Sequence, residues 1–375
     1  MHPASPLLLA LSLATGPARA AGSWTEHLAF AGDLRYRNEW SLTRPGDEDM
    51  RWRQRVRARL GLTATVIEDQ VWGGLRLRTG NPADANSPHQ TLGEGFASFD
   101  VGFDQVYLAW APGGGTGTIW AGKFEDPLYD SPVYGDLLID DDINPEGVAA
   151  SIPVVGGEGV RWTLLPAAWL LLEVDAGVGD AAFDTDDGYL FAGQSQLELP
   201  VGESTLTVAN AFYLIPDPTP ADDPTLLAGN GGNATNAAGT EYLSDFRILD
   251  NVVGLDLVAG ERTVSLAARV VVNLGADKEN LGWQGGLKVP FSVGKLGMDA
   301  FVDVHGLQRE AFYSDFIGDD QQSDIGYKGG VGGLTFKPVK PLGIRVWGIV
   351  DRPDQPAPED PAVFSRVRVD VNARF

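Results

Sequence analysis

Apolar and polar side chains alternate with a period of two over long stretches of the chain. Between Leu28 and Trp40 most even-numbered positions are apolar, whereas the odd-numbered positions are polar or small. The stretches 50–64 and 363–375 show the same alternation. Because successive side chains of a β-strand point to opposite faces, the pattern predicts strands with one apolar and one polar face. An all-β protein is therefore expected.

The length of the alternating stretches distinguishes two kinds of β-protein. Strands of soluble proteins usually have five or six residues, whereas a tilted strand that crosses a bilayer needs about 9 to 11. Several stretches here are at least that long, and many of the ten tryptophans lie near their ends, where interfacial aromatic residues are found. The pattern favours a transmembrane antiparallel β-barrel over a soluble sandwich.

Sixteen strands are predicted, an even number that places both chain ends on the periplasmic side. Most short connections then fall on that side, including a turn at 166–167, and the longest connections fall outside. The third outer loop is expected at about 125–157. A separate strand at 147–152 would move a later long loop to the wrong side, so these residues are assigned to that loop or to a bulged extension of the sixth strand. The predicted strands are 28–40, 50–64, 71–80, 99–111, 118–124, 158–165, 168–178, 188–199, 204–214, 244–258, 263–274, 281–290, 296–310, 325–337, 342–352 and 363–375.

The first twenty residues have the pattern of a secretory signal peptide. An apolar stretch, Leu7 to Ala14, precedes Gly16-Pro17 and the small-x-small sequence Ala18-Arg19-Ala20 that signal peptidase accepts. Removal of residues 1–20 would leave 21–375 as the mature chain, with the barrel beginning at about residue 28. Export from the cytoplasm is expected.

Composition excludes several other kinds of site. The 375 residues include no cysteine, so disulfides and thiolate zinc sites cannot form. The net charge of -23 argues against nucleic acid as a partner. The acidic residues are unevenly placed, since 81–330 contain 38 acidic and only 10 basic side chains. The two ends of the chain are therefore the regions in which basic residues concentrate.

Arginine occupies every second position of one predicted strand, from Arg51 to Arg59. Near the bilayer midplane each would cost about 2 to 4 kcal/mol if it faced lipid, so this face is predicted to point into the lumen. Barrel closure would place further arginines of the first, third and last two strands beside it, although ion pairs with Asp33, Glu39 and Asp370 are an alternative, purely structural role. We name this set the basic wall: Arg35, Arg37, Arg51, Arg53, Arg55, Arg57, Arg59, Arg76, Arg78, Arg345, Arg366, Arg368 and Arg374.

Four motifs in the first 150 residues resemble a known family. They are Arg53-x-Arg55-x-Arg57-x-Arg59-Leu60-Gly61, the stretch Gly74-Leu75-Arg76-Leu77-Arg78-Thr79-Gly80 with Ser87-Pro88-His89-Gln90-Thr91-Leu92-Gly93, the pair Gly122-Lys123, and Asp142-x-Asn144-Pro145-Glu146-Gly147. In these the chain resembles the putative porins of Gram-negative outer membranes. The resemblance implies an outer-membrane channel for passive diffusion of small hydrophilic solutes and ions, with membrane lipid as its surroundings and a homotrimer as a possible assembly.

The third outer loop folds into the lumen in porins generally, so the resemblance makes its acids candidates for a constriction. These are Asp130, Asp136, Asp140, Asp141, Asp142 and Glu146. Within them Asp140, Asp142, Asn144 and Glu146 alternate with other residues, as oxygen ligands of Ca²⁺ do, but Pro145 and Ile152 break the EF-hand pattern. A solvated acidic loop is the alternative, and no metal or other cofactor is expected.

Catalysis is poorly supported by the sequence. Only three histidines remain after residue 20, and Gly-x-Ser-x-Gly is absent. His305 shares the alternation phase of Asp299 and Asp303 and is expected in the lumen. The chain is predicted not to be an enzyme. A secreted soluble β-protein that binds carbohydrate remains the alternative to a porin.

Overall fold

The computed structural model of the protein describes residues 24–43, 50–115, 117–157, 159–172, 188–216, 232–239, 241–318, 320–321, 325–354 and 363–375. The predicted signal peptide lies outside them. Within these ranges sixteen long strands form one antiparallel sheet. They are β1 Leu28–Thr43, β2 Arg51–Ile67, β3 Val71–Thr79, β4 Val101–Trp110, β5 Thr118–Lys123, β6 Glu146–Val155, β7 Arg161–Leu172, β8 Gly188–Val201, β9 Ser204–Ile215, β10 Phe246–Ala259, β11 Arg262–Asn273, β12 Leu281–Val293, β13 Leu296–Leu307, β14 Tyr327–Val339, β15 Leu342–Pro353 and β16 Phe364–Arg374.

The sheet closes on itself between its first and last strands. β1 pairs with β2 on one side and with β16 on the other, in a register that sets Asp33 opposite Arg374 and Trp40 opposite Val367. The connections at one end of the barrel have no more than seven residues, whereas the longest connections are all at the other end. The predicted class, a closed antiparallel barrel of sixteen strands, is confirmed.

The two faces of the barrel differ as the alternation predicted. On β1 the outward Leu34 and Tyr36 are exposed, while the inward Arg37 and Glu39 are buried. The outward Trp52 and Leu60 of β2 are exposed as well, so the outside of the barrel is apolar. An apolar outer surface fits contact with lipid acyl chains and does not fit the alternative of a soluble secreted protein.

Two predicted segments were wrong. Residues 146–155 form β6 instead of part of the third outer loop, and Arg161–Leu172 is one strand without a turn at Pro166-Ala167. Pro166 pairs with Gly193 of β8, while the ladder between β7 and β6 is interrupted between Ala149 and Ile152. The missing N–H of Pro166 therefore lies at a break in that ladder. One strand was missed and one was divided, so the count stayed at sixteen.

Long outer loops return into the barrel. The second outer loop (80–100) pairs Gln90–Thr91 with β2, where β3 has already ended. The third outer loop (124–145) and the seventh (308–326) bury apolar side chains against the inward faces of β7 to β14. Leu137 and Leu138 pack there with Phe312 and Ile317. Each buried leucine contributes about 1.5 to 3 kcal/mol, so this apolar cluster fixes both loops on one side of the lumen.

Short 3₁₀ turns are the helical elements of the described residues, at Trp24–His27, Pro112–Gly114 and Ser314–Phe316. Among the residues described, no helix is long and apolar enough to cross a membrane.

We expect Val367→Arg to impair assembly of the barrel. Val367 lies on the outward face of β16 and is 37% exposed, so an arginine there would cost up to about 2 to 4 kcal/mol in lipid. Thr335→Arg on β14 is the control, because Thr335 lies opposite the inward positions Asp299 and Arg345. The measurement is the fraction of heat-modifiable barrel on an SDS gel after refolding into lipid vesicles. Equal yields for both variants would contradict the assignment of faces.

Candidate functional site

The register of the barrel brings the basic wall together on one continuous inward face. It spans β15, β16, β1, β2 and β3, in the order in which these strands are neighbours. Arg35 lies opposite Arg57, and Arg37 lies opposite Arg55. Like charges directly opposite on a sheet are destabilising, so an arrangement of this kind requires anionic groups nearby.

Strand carboxylates supply part of that negative charge. Arg37 Nε donates to Asp370 at 2.7 Å, and Arg59 Nε donates to Asp33 at 2.6 Å. Glu39 is fully buried and accepts hydrogen bonds from Arg53 and, at 2.7 Å, from Arg368 Nε. The predicted ion pairs with Asp33, Glu39 and Asp370 are therefore present.

Loop carboxylates complete the pairing. Asp142 of the third outer loop accepts from Arg57 Nη1 at 3.2 Å and from Arg59 Nη1 at 3.3 Å. Asp320 of the seventh outer loop pairs with Arg368, and the charge of Arg368 holds the pKa of Asp320 below its ordinary value despite burial, which acts to raise it. Ion pairs with the strand carboxylates Asp33, Glu39 and Asp370 are therefore only part of the role of these arginines, because two outer loops also bind the basic wall.

Arg76 and Arg78 share one carboxylate. Arg76 Nε donates to Asp104 of β4 at 2.6 Å, and Arg78 Nε lies 3.5 Å from the same carboxyl group. Asn144 of the third outer loop donates to Asp104 at 3.0 Å. This corner of the basic wall is thus also covered by the third outer loop.

Four further arginines of the basic wall contact neutral polar or aromatic groups. Arg35 Nε donates to Asn372 at 2.6 Å, and Arg55 Nη2 donates to Ser87 Oγ of the second outer loop at 2.7 Å. Arg345 stacks between Phe301 and Trp347, 4.4 Å from each ring centroid, and Arg366 lies over Phe364 at 4.7 Å. Arg51 and Arg374 are exposed at strand ends.

The buried side chain of His89 has a lowered pKa. His89 lies in the second outer loop beside these arginines. Its pKa is held well below the ordinary value by burial and by the charges of Arg37, Arg35, Arg57 and Arg55. The imidazole is therefore neutral at pH 7.

The third outer loop crosses the interior of the barrel, as predicted. On the side opposite Asp142 and the basic wall, Asp130 pairs with the buried Arg269 of β11 at 2.6 Å. Gln284 of β12 donates to Tyr134 O at 2.6 Å, and Lys288 donates to Pro132 O at 2.7 Å. The loop therefore bonds to opposite sides of the barrel at once.

The predicted constriction-loop acids do not form one group. Asp130 and Asp142 bind opposite sides of the barrel, while Asp136, Asp140 and Asp141 offer carboxylate oxygens within 4.8 Å of one another. Glu146 was wrongly included, because it lies in β6 and pairs with Lys123 at 2.6 Å.

The residues considered as Ca²⁺ candidates, Asp140, Asp142, Asn144 and Glu146, are not brought together by the structure. Asp142 binds the basic wall, Asn144 binds Asp104, and Glu146 binds Lys123. These three side chains are directed to different strands, so they do not converge with Asp140 on one point.

We expect the pH dependence of stability to change in Asp126→Asn. Burial raises the pKa of Asp126, in the third outer loop, from 3.8 to about 7. A raised carboxyl pKa favours the folded state at low pH, and this contribution is lost as the pH rises through about 7. The variant should therefore gain less stability than the wild type between pH 8 and pH 5, measured as the thermal unfolding midpoint in detergent. If the unfolding midpoint of the variant changed with pH as steeply as that of the wild type, the raised pKa would not belong to Asp126.

Sequence reasoning missed a second polar cluster in the lumen. His305 Nδ1 and Nε2 lie 3.1 Å from Asp303 and Asp351, respectively, and all three side chains are buried. The phase shared by Asp303 and His305 indicated the inward face. Asp351 and the loop residue Asp320 gave no comparable signal, since their positions follow from barrel pairing and loop packing.

Comparison with known proteins gives the family resemblance an independent test. Residues 43–219 match the family model described as putative porin, which confirms the resemblance over that part of the chain. No curated protein sequence matches the chain.

Solved structures with the same fold include an outer membrane channel. OprB of Pseudomonas putida, in a structure at high pH, superposes with a TM-score of 0.62 at 12% identity, over 93% of this chain and 94% of that chain. OmpF of Salmonella typhi, in complex with daunomycin, gives 0.52 at 13% identity, over 93% and 97%. The outer membrane channel DcaP of Acinetobacter baumannii gives 0.52 at 12% identity, over 93% and 97%. The chain therefore matches the putative porin model over residues 43–219 and shares a porin-type β-barrel fold with these structures.

Proposed function

We propose that the protein is a water-filled channel through which small hydrophilic solutes and ions diffuse passively. The observation that carries the proposal is the position of the third outer loop, which bonds to Arg269 on one side of the barrel and to the basic wall on the other. Such a loop narrows the lumen and brings charged groups close to any solute that passes.

The path is proposed to follow the basic wall. The apolar cluster of the third and seventh outer loops occupies the side of β7 to β14. The arginines of β16, β1, β2 and β3 face this cluster with carboxylates between them, so the path has both signs of charge along its sides. Charges of both signs oriented across a narrow point favour weak ion selectivity, since neither sign of ion is bound tightly.

Single-channel recording in a planar lipid bilayer tests the proposal. The refolded barrel should produce stepwise current increments in KCl, with a conductance that rises with salt concentration as expected for a water-filled pore. Protein boiled before addition is the control. Failure of assembled, heat-modifiable barrel to produce increments would contradict the channel function.

The chain is also proposed to act without catalysis and to assemble as a homotrimer. The porin-type fold favours a channel over an enzyme, and the described lumen combines arginine with carboxylate instead of a nucleophile with a base. Native mass measurement in a mild detergent tests the trimer, and a uniform monomer would contradict it.

A further inference from the structure

Three carboxylates of the third outer loop converge on one place in the described structure. Oxygen atoms of Asp136, Asp140 and Asp141 all lie within 4.8 Å of one another. Carboxylates this close repel one another unless a proton or a cation lies among them.

A buried amide of the seventh outer loop lies beside this group. Gln321 is fully buried, and its Nε2 donates to Tyr134 Oη at 2.8 Å. Its Oε1 has no hydrogen-bond partner. A buried acceptor without a donor costs about 1 to 3 kcal/mol. A cation beside this oxygen would accept its lone pair and remove that cost.

Gly318 shows that the amide and the carboxylates face one space. A β-carbon at this position would lie 2.8 Å from Asp140 Oδ2, 3.5 Å from Asp136 O and 3.5 Å from Gln321 Oε1. The space beside Gly318 is therefore bounded by oxygen atoms from both loops. The two loops also join there through their backbones, since Asp140 N donates to Phe316 O at 3.0 Å.

From this geometry we propose that Asp136, Asp140, Asp141 and Gln321 form a Ca²⁺ site that joins the third outer loop to the seventh. All the donors are oxygens, the set that hard divalent cations prefer. They come from two irregular loops, and Ca²⁺ accepts six to eight oxygens in flexible geometry, whereas Mg²⁺ demands a near-ideal octahedron.

The neighbouring charges leave the proposed site with net negative charge. Asp142 and Asp320 lie close to it, but each is paired with arginine of the basic wall. Arg57, Arg35 and Arg59 also lie near enough to Asp141 to attract its carboxylate. The affinity is therefore expected in the range of extracellular calcium modules, with a Kd of roughly 10⁻⁴ to 10⁻³ M.

Isothermal titration calorimetry with CaCl₂ and, separately, MgCl₂ tests the site. The full-length barrel is refolded in detergent without lipopolysaccharide, which itself binds divalent cations, and is freed of metal with a chelator that is then removed. The wild type should bind one Ca²⁺ per barrel, at least tenfold more tightly than Mg²⁺. Absence of Ca²⁺ binding, or equal binding of Mg²⁺, would overturn the proposal.

Variants locate the binding. D136N/D141N should weaken Ca²⁺ binding at least tenfold, whereas D245N/D277N removes the same charge from two exposed outer-loop positions and should bind like the wild type. Gly318→Ala retains every charge but places a methyl group among the oxygens, and it should also weaken binding tenfold or more. If D136N/D141N fails to assemble, Gly318→Ala decides the question. Wild-type affinity in an assembled test variant, or equal loss in the exposed control, would reject the site.

Discussion

Simultaneous replacement of Arg53, Arg55 and Arg57 by serine should raise the cation-to-anion permeability ratio by at least about fivefold. Arg53 is paired with Glu39, and Arg57 with Asp33 and Asp142, so their removal leaves carboxylates without partners beside the proposed path. One unit charge about 4 Å from a passing ion contributes about 1 kcal/mol in water, which corresponds to about fivefold. Reversal potentials in a KCl gradient across a planar bilayer measure the ratio.

The converse variant changes the acids of the third outer loop. Asparagine at Asp140, Asp141 and Asp142 should shift the reversal potential toward anions, because it removes negative charge beside the same arginines. Both measurements are made with a chelator present, so that the proposed Ca²⁺ site does not contribute.

The control for both selectivity experiments is Arg247→Ser. Arg247 pairs with Asp245 in an exposed position away from the basic wall, so its replacement should leave the reversal potential unchanged. If neither triple variant moves the potential, these residues do not line the permeation path.

Removal of Glu39 should cause the largest loss of stability, about 3 to 5 kcal/mol for Glu39→Ala. The carboxylate is fully buried between Arg53 and Arg368, and loss of one member of a buried ion pair leaves an uncompensated charge. Asp320 still pairs with Arg368, which places the expected value at the lower end of that range. Urea unfolding of the barrel in lipid vesicles measures the change.

Asp245→Ala provides the matched comparison for Glu39→Ala. Asp245 pairs with Arg247, but the two side chains are 65% and 55% exposed, so removal should cost no more than about 1 kcal/mol. Similar losses in both variants would mean that water screens the buried pair as effectively as the exposed one.

The barrel was predictable because the same two-residue alternation determines that the strands are extended and which side chains face lipid or the lumen. Alternation from Arg51 to Arg59 requires an extended strand, and lipid outside requires that its arginines point inward. The register that joins β16 to β1 then follows from closure. The family resemblance added the expectation that the third outer loop enters the lumen.

The errors come from residues that make a strand look like a loop. Gly147, Ala149 and Pro153 give β6 little apolar alternation, and Pro166 resembles a turn although it lies at a break in the ladder. The loop contacts had no sequence signal either. Asp142 and Asp320 reach the basic wall because apolar packing against the facing strands holds their two loops inside the barrel. That packing joins residues far apart in the sequence, so the sequence pattern does not show it.

The seam between β1 and β16 imposes an order on folding. Arg37 and Asp370 are 333 residues apart in the chain, and Glu39 and Arg368 are 329 apart, so these pairs form only when the whole sheet has been laid down. Contacts this distant slow folding, because the entropy of closing the intervening chain must be lost first. A slip of one residue would turn the inward arginines of the slipping strand toward lipid, at about 2 to 4 kcal/mol each near the midplane. The pairing that closes the barrel therefore discriminates against its own misregistered versions wherever its outer face meets lipid.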